Sequence, residues 1–178
     1  MAGFLLRCLS LVLALVLIAL PGEAARDTDS YDGNIFALYA GNGSLVPPAT
    51  TLAESQAAGR TSVLVYYLDD SSTSKVFSSS VSEIQRLWGN SVDLLPLTTD
   101  ALQDRGDQGQ TDPAHYWKGI VPQVVVLDGS GSVLLDSVGQ VPLEEINAAI
   151  SAATGIPAPT GGSTTLSFNE LNTEVISR

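Results

Sequence analysis

The sequence predicts an α/β domain in which helices flank a mixed central sheet, and three observations carry that expectation. Residues 62–68 (SVLVYYL) are a nearly continuous β-branched and aromatic run, the pattern of a strand buried on both faces. Strand-like runs alternate with helical ones from residue 35 onward, in the order β, α, β, α, β, α, β, β, α, which suits strands joined by crossover helices. The last two strand-like runs, 123–127 (QVVVL) and 132–138 (SVLLDSV), are separated only by Asp128-Gly129-Ser130-Gly131, a hairpin turn that adds an antiparallel member.

Taken in order, residues 25–34 are a polar, turn-forming lead-in, and the apolar and aromatic run 35–40, bounded by Gly41-Asn42-Gly43, reads as a strand. Pro47-Pro48 makes a rigid spacer before Thr51-Leu52-Ala53-Glu54. There the Thr hydroxyl and the Glu carboxylate can each satisfy an amide of a first helical turn, and the short helix ends at Gly59. After the strand at 62–68, apolar residues recur at Val76, Phe77, Val81, Ile84, Leu87 and Trp88, an amphipathic helix with Gly89 placed for a left-handed cap. Residues 92–97 (VDLLPL) form a strand in which Pro96 is tolerable only near an edge or end. The polar stretch 99–112 is a surface loop, and Asp112-Pro113 can start a short helix running to Trp117. Pro142 at the first helical position opens a last helix through Leu143, Ile146, Ala149 and Ile150, closed at Gly155. The domain is thus bounded at 35–156, with 157–178 a low-complexity linker and a tail able to dock back through Phe168 and Leu171.

Residues 1–24 read as a secretory signal peptide: Arg7, an uncharged run at 8–20, then a small-residue cleavage pattern ending at Ala24. The apolar run would make a helix of roughly 20 Å against a hydrocarbon core of ~30 Å, so cleavage is preferred to retention as an anchor. Cleavage removes Arg7 and Glu23 together and leaves the net charge at −11. It also removes Cys8, the only cysteine of the chain. A mature domain without sulfur has no disulfide, thiolate or sulfur-ligated metal, and a single histidine excludes an imidazole-rich metal site. So strong an acidic balance also argues against nucleic-acid or anionic-lipid surfaces. Oxygen chemistry is what remains.

Within that chemistry, Asp69-Asp70 ends the presumed central strand, where α/β proteins commonly place ligands, but neighbouring residues of an extended chain point to opposite faces. Asp100, Asp104, Asp107 and Asp112 lack the spacing of a calcium loop. His115 has no G-x-S-x-G elbow to serve and is expected to be a packing or surface residue.

Over residues 35–154 the pattern resembles a thioredoxin fold. VLVYYLDDSSTSKVF (63–77) stands where that family's central strand runs into its C-x-x-C loop, so that Ser71 and Ser74 occupy the cysteine positions; Gly119-Ile120-Val121-Pro122-Gln123 resembles the segment carrying its cis-proline, with Pro122 at the matching place. No catalytic residue and no cofactor are expected, and Ser71 or Ser72 serves as helix N-cap. A second resemblance covers segments outside that core: YDGNIFALYAGNGSLVPPATTLAES (31–55), VYYLDDSS (65–72), YWKGIVPQVVVLDGSG (116–131), GQVPLEEI (139–146) and SFNELNTEV (167–175) resemble the cyanobacterial photosystem I accumulation factors. That resemblance implies a thioredoxin-like, non-enzymatic factor, exported to the thylakoid lumen or the lumenal face of the thylakoid membrane, with the periplasm as alternative. It implies photosystem I subunits or assembly intermediates as partners. Some relatives carry a cysteine at the place of Ser74. The expected peptide-binding surface comprises Asp70, Ser72, Thr73, Lys75, Val121, Pro122 and Gln123, with the segment 31–48 beside it. A general lumenal or periplasmic peptide-binding chaperone and a diverged oxidoreductase relying on partner thiols are the alternatives.

Overall fold

The computed structural model describes residues 26–103 and 105–158; the leader, Asp104 and the tail with Phe168 and Leu171 lie outside the described residues. The α-helices and strands of the described residues are α1 (Ile35–Tyr39), α2 (Leu52–Ala57), β1 (Ser62–Tyr67), α3 (Ser72–Trp88), β2 (Asp93–Thr98), β3 (Gln123–Leu127), β4 (Val133–Val138) and α4 (Leu143–Thr154). The strands form one mixed sheet in the order β2-β1-β3-β4, with β1 parallel to β2 and antiparallel to β3, and β3 antiparallel to β4. Within the run at 62–68, Ser62–Tyr67 form a central strand, buried along its length.

Alternation along the strands divides the core between two faces. Val63, Val65, Tyr67, Val124 and Val126 pack with Ile35, Phe36, Phe77, Val81, Ile84, Trp88, Ile146 and Ile150 under α1, α3 and α4. Leu64, Tyr66, Leu95, Val125 and Leu127 pack with Leu52, Leu102 and Tyr116 on the other face, under α2 and the loop that follows β2. Pro96 lies on β2, an edge strand, opposite Val65. The position is permitted there because an edge leaves one side of the backbone without a ladder partner.

Several boundaries differ from the sequence expectation. The run expected as a strand at 35–40 forms helix α1, Ile35–Tyr39, and among the described residues the sheet has four strands. Asn34 Oδ1 accepts from the N–H groups of Phe36 and Ala37, and Asp69 Oδ1 accepts from Ile35 N–H at 3.1 Å. Three first-turn amides are thereby satisfied, and this local bonding overrides the β propensity of an Ile-Phe-Ala-Leu-Tyr run. Gly89 ends α3 at φ −57°, not in the left-handed region; a Cβ there would lie 2.6 Å from the Gln85 carbonyl oxygen, so close approach is what requires glycine. The stretch after Asp112 makes only a 3-10 turn, Pro113–His115, though Asp112 caps it as expected. Pro142 is the N-cap of α4, one residue before the expected place, and Gly155 closes that helix at φ 70°. The capping box at Thr51 and Glu54 forms as read. Among the described residues no helix is long and apolar enough to cross a membrane.

Candidate functional site

β1 delivers the chain through Leu68, Asp69 and Asp70 to Ser71, the N-cap of α3. Ser71 Oγ accepts from Ser74 N–H at 3.3 Å and shares a hydrogen bond with Thr73 Oγ1 at 2.9 Å. Ser74 is 1% exposed, and its Oγ accepts from Leu68 N–H at 3.2 Å, tying the helix start back to the strand end. Across from this turn the Val121–Pro122 peptide is cis. Thr73 Oγ1 donates to the Val121 carbonyl at 3.4 Å, and Gln140 Nε2 donates to the Thr73 carbonyl at 2.7 Å, so the two loops form one continuous edge.

The polar lead-in lies across the same helix start as a strap. Asp29 Oδ1 accepts from Ser72 N–H at 2.7 Å, and Arg26 donates to the Val76 carbonyl at 2.9 Å and to Ser79 Oγ at 3.1 Å. Beneath it Lys75 is fully buried, with Nζ 2.6 Å from Asp32 Oδ2 and 2.9 Å from the Thr28 carbonyl; the Tyr39 ring lies 5.6 Å away, and its hydroxyl donates to the same Asp32 oxygen at 2.8 Å. The Lys75 hydrogen bond and that of Tyr39 hold the Asp32 carboxyl below its ordinary value. Burial would pull the Lys75 ammonium down, yet Asp32 outweighs it and the group titrates above its ordinary value. At Asp29 the Ser72 amide lowers the carboxyl.

The expected binding surface is therefore divided by burial. Asp70 and Thr73 are exposed, and Ser72 and Val121 half-buried. Lys75 and Gln123 face inward and make internal bonds: Gln123 Nε2 donates to the Tyr116 carbonyl at 2.7 Å and to Asp136 at 2.8 Å, while its Oε1 accepts from Lys118 N–H at 3.0 Å. Pro122 is buried beside it. The strap was missed in the sequence, although a signal existed. The buried stripe of α3 runs back from Ile84 and Val81 through Ser78 and Phe77 to Ser74 and Lys75 at helical spacing, so the lysine needed an acidic cover.

The remaining candidates have structural partners. Asp69 caps α1, and burial, then Asp100 and Asp70, raise its carboxyl against the lowering pull of Ile35 N–H. His115 Nδ1 sits 2.8 Å from Asp107, and Asp112 bonds Arg105 as well as the N–H groups of Gln108 and Ala114. Among the described residues no group of three or more His, Cys, Asp or Glu is placed to hold a metal ion.

Fold and site together define a mixed α/β domain whose exposed site groups are a carboxylate, hydroxyls and main-chain carbonyls. The chain is 38% identical over 156 residues to "Thylakoid membrane protein slr1796" of Synechocystis sp., an alignment spanning 86% of this chain and 77% of that protein, and it belongs to that protein's family. No family model matches the chain. Among solved structures, the crystal structure of an HIV epitope-scaffold is similar at 19% identity and a TM-score of 0.37, over 68% of this chain and 81% of the scaffold.

Proposed function

We propose that the protein is a non-enzymatic factor that supports accumulation or assembly of photosystem I at the lumenal face of the thylakoid membrane, binding photosystem I subunits or their assembly intermediates through a redox-inactive thioredoxin-like domain. One observation carries the reading: a helix start bearing serines at the two cysteine positions is joined, through Thr73 and the Val121 carbonyl, to a cis-proline loop. Binding without thiol chemistry is consistent with a chain whose sole cysteine is Cys8. Membership in the family of a thylakoid membrane protein supports the location. The partner contacts the exposed groups of this edge, Asp70, Thr73 and the half-buried Ser72 and Val121, while Lys75 and Gln123 hold the edge in shape from below.

The test is the photosystem I to photosystem II ratio, read by low-temperature chlorophyll fluorescence in a deletion strain complemented in turn with each variant. Deletion is expected to lower the ratio, Ser71→Ala with Ser74→Ala to restore it wherever the protein accumulates, and Val121→Asp to leave it low at equal protein level. An unchanged ratio on deletion overturns the reading. The exposed apolar side chains of Ile120 and Val76 beside this edge also suit a general peptide-binding chaperone, which crosslinking would reveal by many unrelated clients.

A further inference from the structure

A cavity of about 310 Å³ opens at the carboxyl ends of the parallel pair β1 and β2. Open α/β sheets place ligands at that end of their strands, and the volume lies at the small end of the ~300–1,000 Å³ typical of ligand pockets. Pro47, Pro48 and Pro96 line it with Leu97, and proline brings a fixed φ and an apolar ring but no N–H, so these walls are both rigid and dry. One uncommitted donor lies on the same wall. Tyr67 lies at the end of β1, 3% exposed, with its ring edge-on to Phe36 at 4.9 Å, and its hydroxyl has no hydrogen-bond partner among the described residues. Arg105 lines the cavity as well, and its guanidinium is paired with Asp112.

The Tyr67 hydroxyl stands on the cavity wall with its hydrogen-bonding capacity unused by the described residues, and an acceptor entering the cavity takes the place of water on it. The acceptor's charge is decided by the surroundings. Asp112 already neutralises Arg105, Asp69 and Asp100 lie near the Tyr67 phenol and with burial keep its proton on, and the whole chain carries −11, so an anion is repelled and a neutral oxygen is not. We propose that this cavity binds a small, neutral, apolar molecule carrying a carbonyl group, its ring or short chain against Pro47, Pro48, Pro96 and Leu97 and its oxygen accepting from the Tyr67 hydroxyl. This site is independent of the protein-binding edge around Thr73 and Val121.

Fluorine NMR titration of the purified chain with 4-fluoroacetophenone, 1-ethyl-4-fluorobenzene and 4-fluorobenzoate tests it. The ketone is expected to bind about 5-fold more tightly than the hydrocarbon, the effect of one net hydrogen bond, and the benzoate most weakly. Tyr67→Phe, which removes a hydroxyl that bonds to nothing else described, should bring the ketone down to the hydrocarbon's affinity. Leu97→Trp, which fills the cavity, should weaken both by at least about 10-fold, the span of 1.4 kcal/mol. Equal affinity of ketone and hydrocarbon in the wild type, tightest binding of the benzoate, no binding of any probe at millimolar concentration, or ketone affinity untouched by Tyr67→Phe would each overturn the proposal. The Tyr67→Phe comparison stands whether or not the tryptophan variant folds.

Discussion

The hydroxyl at position 74 is buried and already engaged, which sets it apart from the exposed hydroxyl one residue earlier. Ser74 Oγ accepts the Leu68 amide, so Ser74→Ala leaves that N–H without its partner and is expected to cost about 1–2 kcal/mol in urea unfolding. Ser71→Ala removes the N-cap of α3 and should cost about 1 kcal/mol. Thr73→Ala, at an exposed position whose bond to Val121 is 3.4 Å long, should stay within about 0.5 kcal/mol. The ordering 74, 71, 73 is the content of the prediction: a Thr73 variant as destabilised as the Ser74 one would mean that the latch to the cis-proline loop holds the fold and is not a surface available to a partner. The same contrast explains why short local motifs read well and burial did not. A serine N-cap at 71 or 72 and the capping box at Thr51 follow from residue type and spacing alone, whereas the place of Pro122 comes from a family resemblance. That Lys75 and Gln123 point inward depends on what covers them, which lies 43 residues away for Lys75 and on a neighbouring strand for Gln123.

At the scale of elements, the strap over α3 is an electrostatic closure, and its pH dependence has a definite sign. Asp32 and Asp29 both titrate below the ordinary 3.8 in the folded chain, so their contribution is complete above 3.8 and is lost as the pH falls through their folded values. Residues 26–34 are therefore expected to lose amide-exchange protection below pH 3.8 before the sheet does. Asp32→Asn should show at neutral pH the strap exchange that the wild type shows only in acid. Strap and sheet amides opening together on acidification would count against a separate closure. The strap and α1 are also where sequence reading fell short, for one physical reason. The buried strands and α3 carry their own periodicity, because each fills a face of the core through many residues. α1 has five residues, too few for a helical period to outweigh a β-rich composition, and its caps come from Asn34 and from Asp69 at the far end of β1. Gly89 likewise sits where a cap was expected but is required by contact with Gln85, which spacing does not reveal.

For the whole molecule, one sheet carries both halves of the core, since consecutive residues of β1 and β3 face opposite clusters. Neither cluster can lose its packing without exposing the back of the other, so the two should unfold together. The two tryptophans allow each half to be watched separately. Trp88 lies in the cluster under α1, α3 and α4, with Nε1 donating to Asn147 at 2.8 Å, whereas Trp117 packs at the border of the other cluster, stacked on Tyr66 at 5.3 Å. In Trp88→Phe the fluorescence reports the Trp117 face, and in Trp117→Phe it reports the Trp88 face. Within each variant the urea midpoint by fluorescence is expected to coincide with that by far-ultraviolet circular dichroism, although Trp88→Phe, a full core position, should shift both midpoints lower than Trp117→Phe does. A fluorescence midpoint that precedes the circular dichroism midpoint in the Trp88→Phe variant alone would mean that the face under α2 opens independently. The sheet would then be a hinge between two cores, and the cavity at the ends of β1 and β2, walled partly by Leu102 and Pro113 from that face, would open with it.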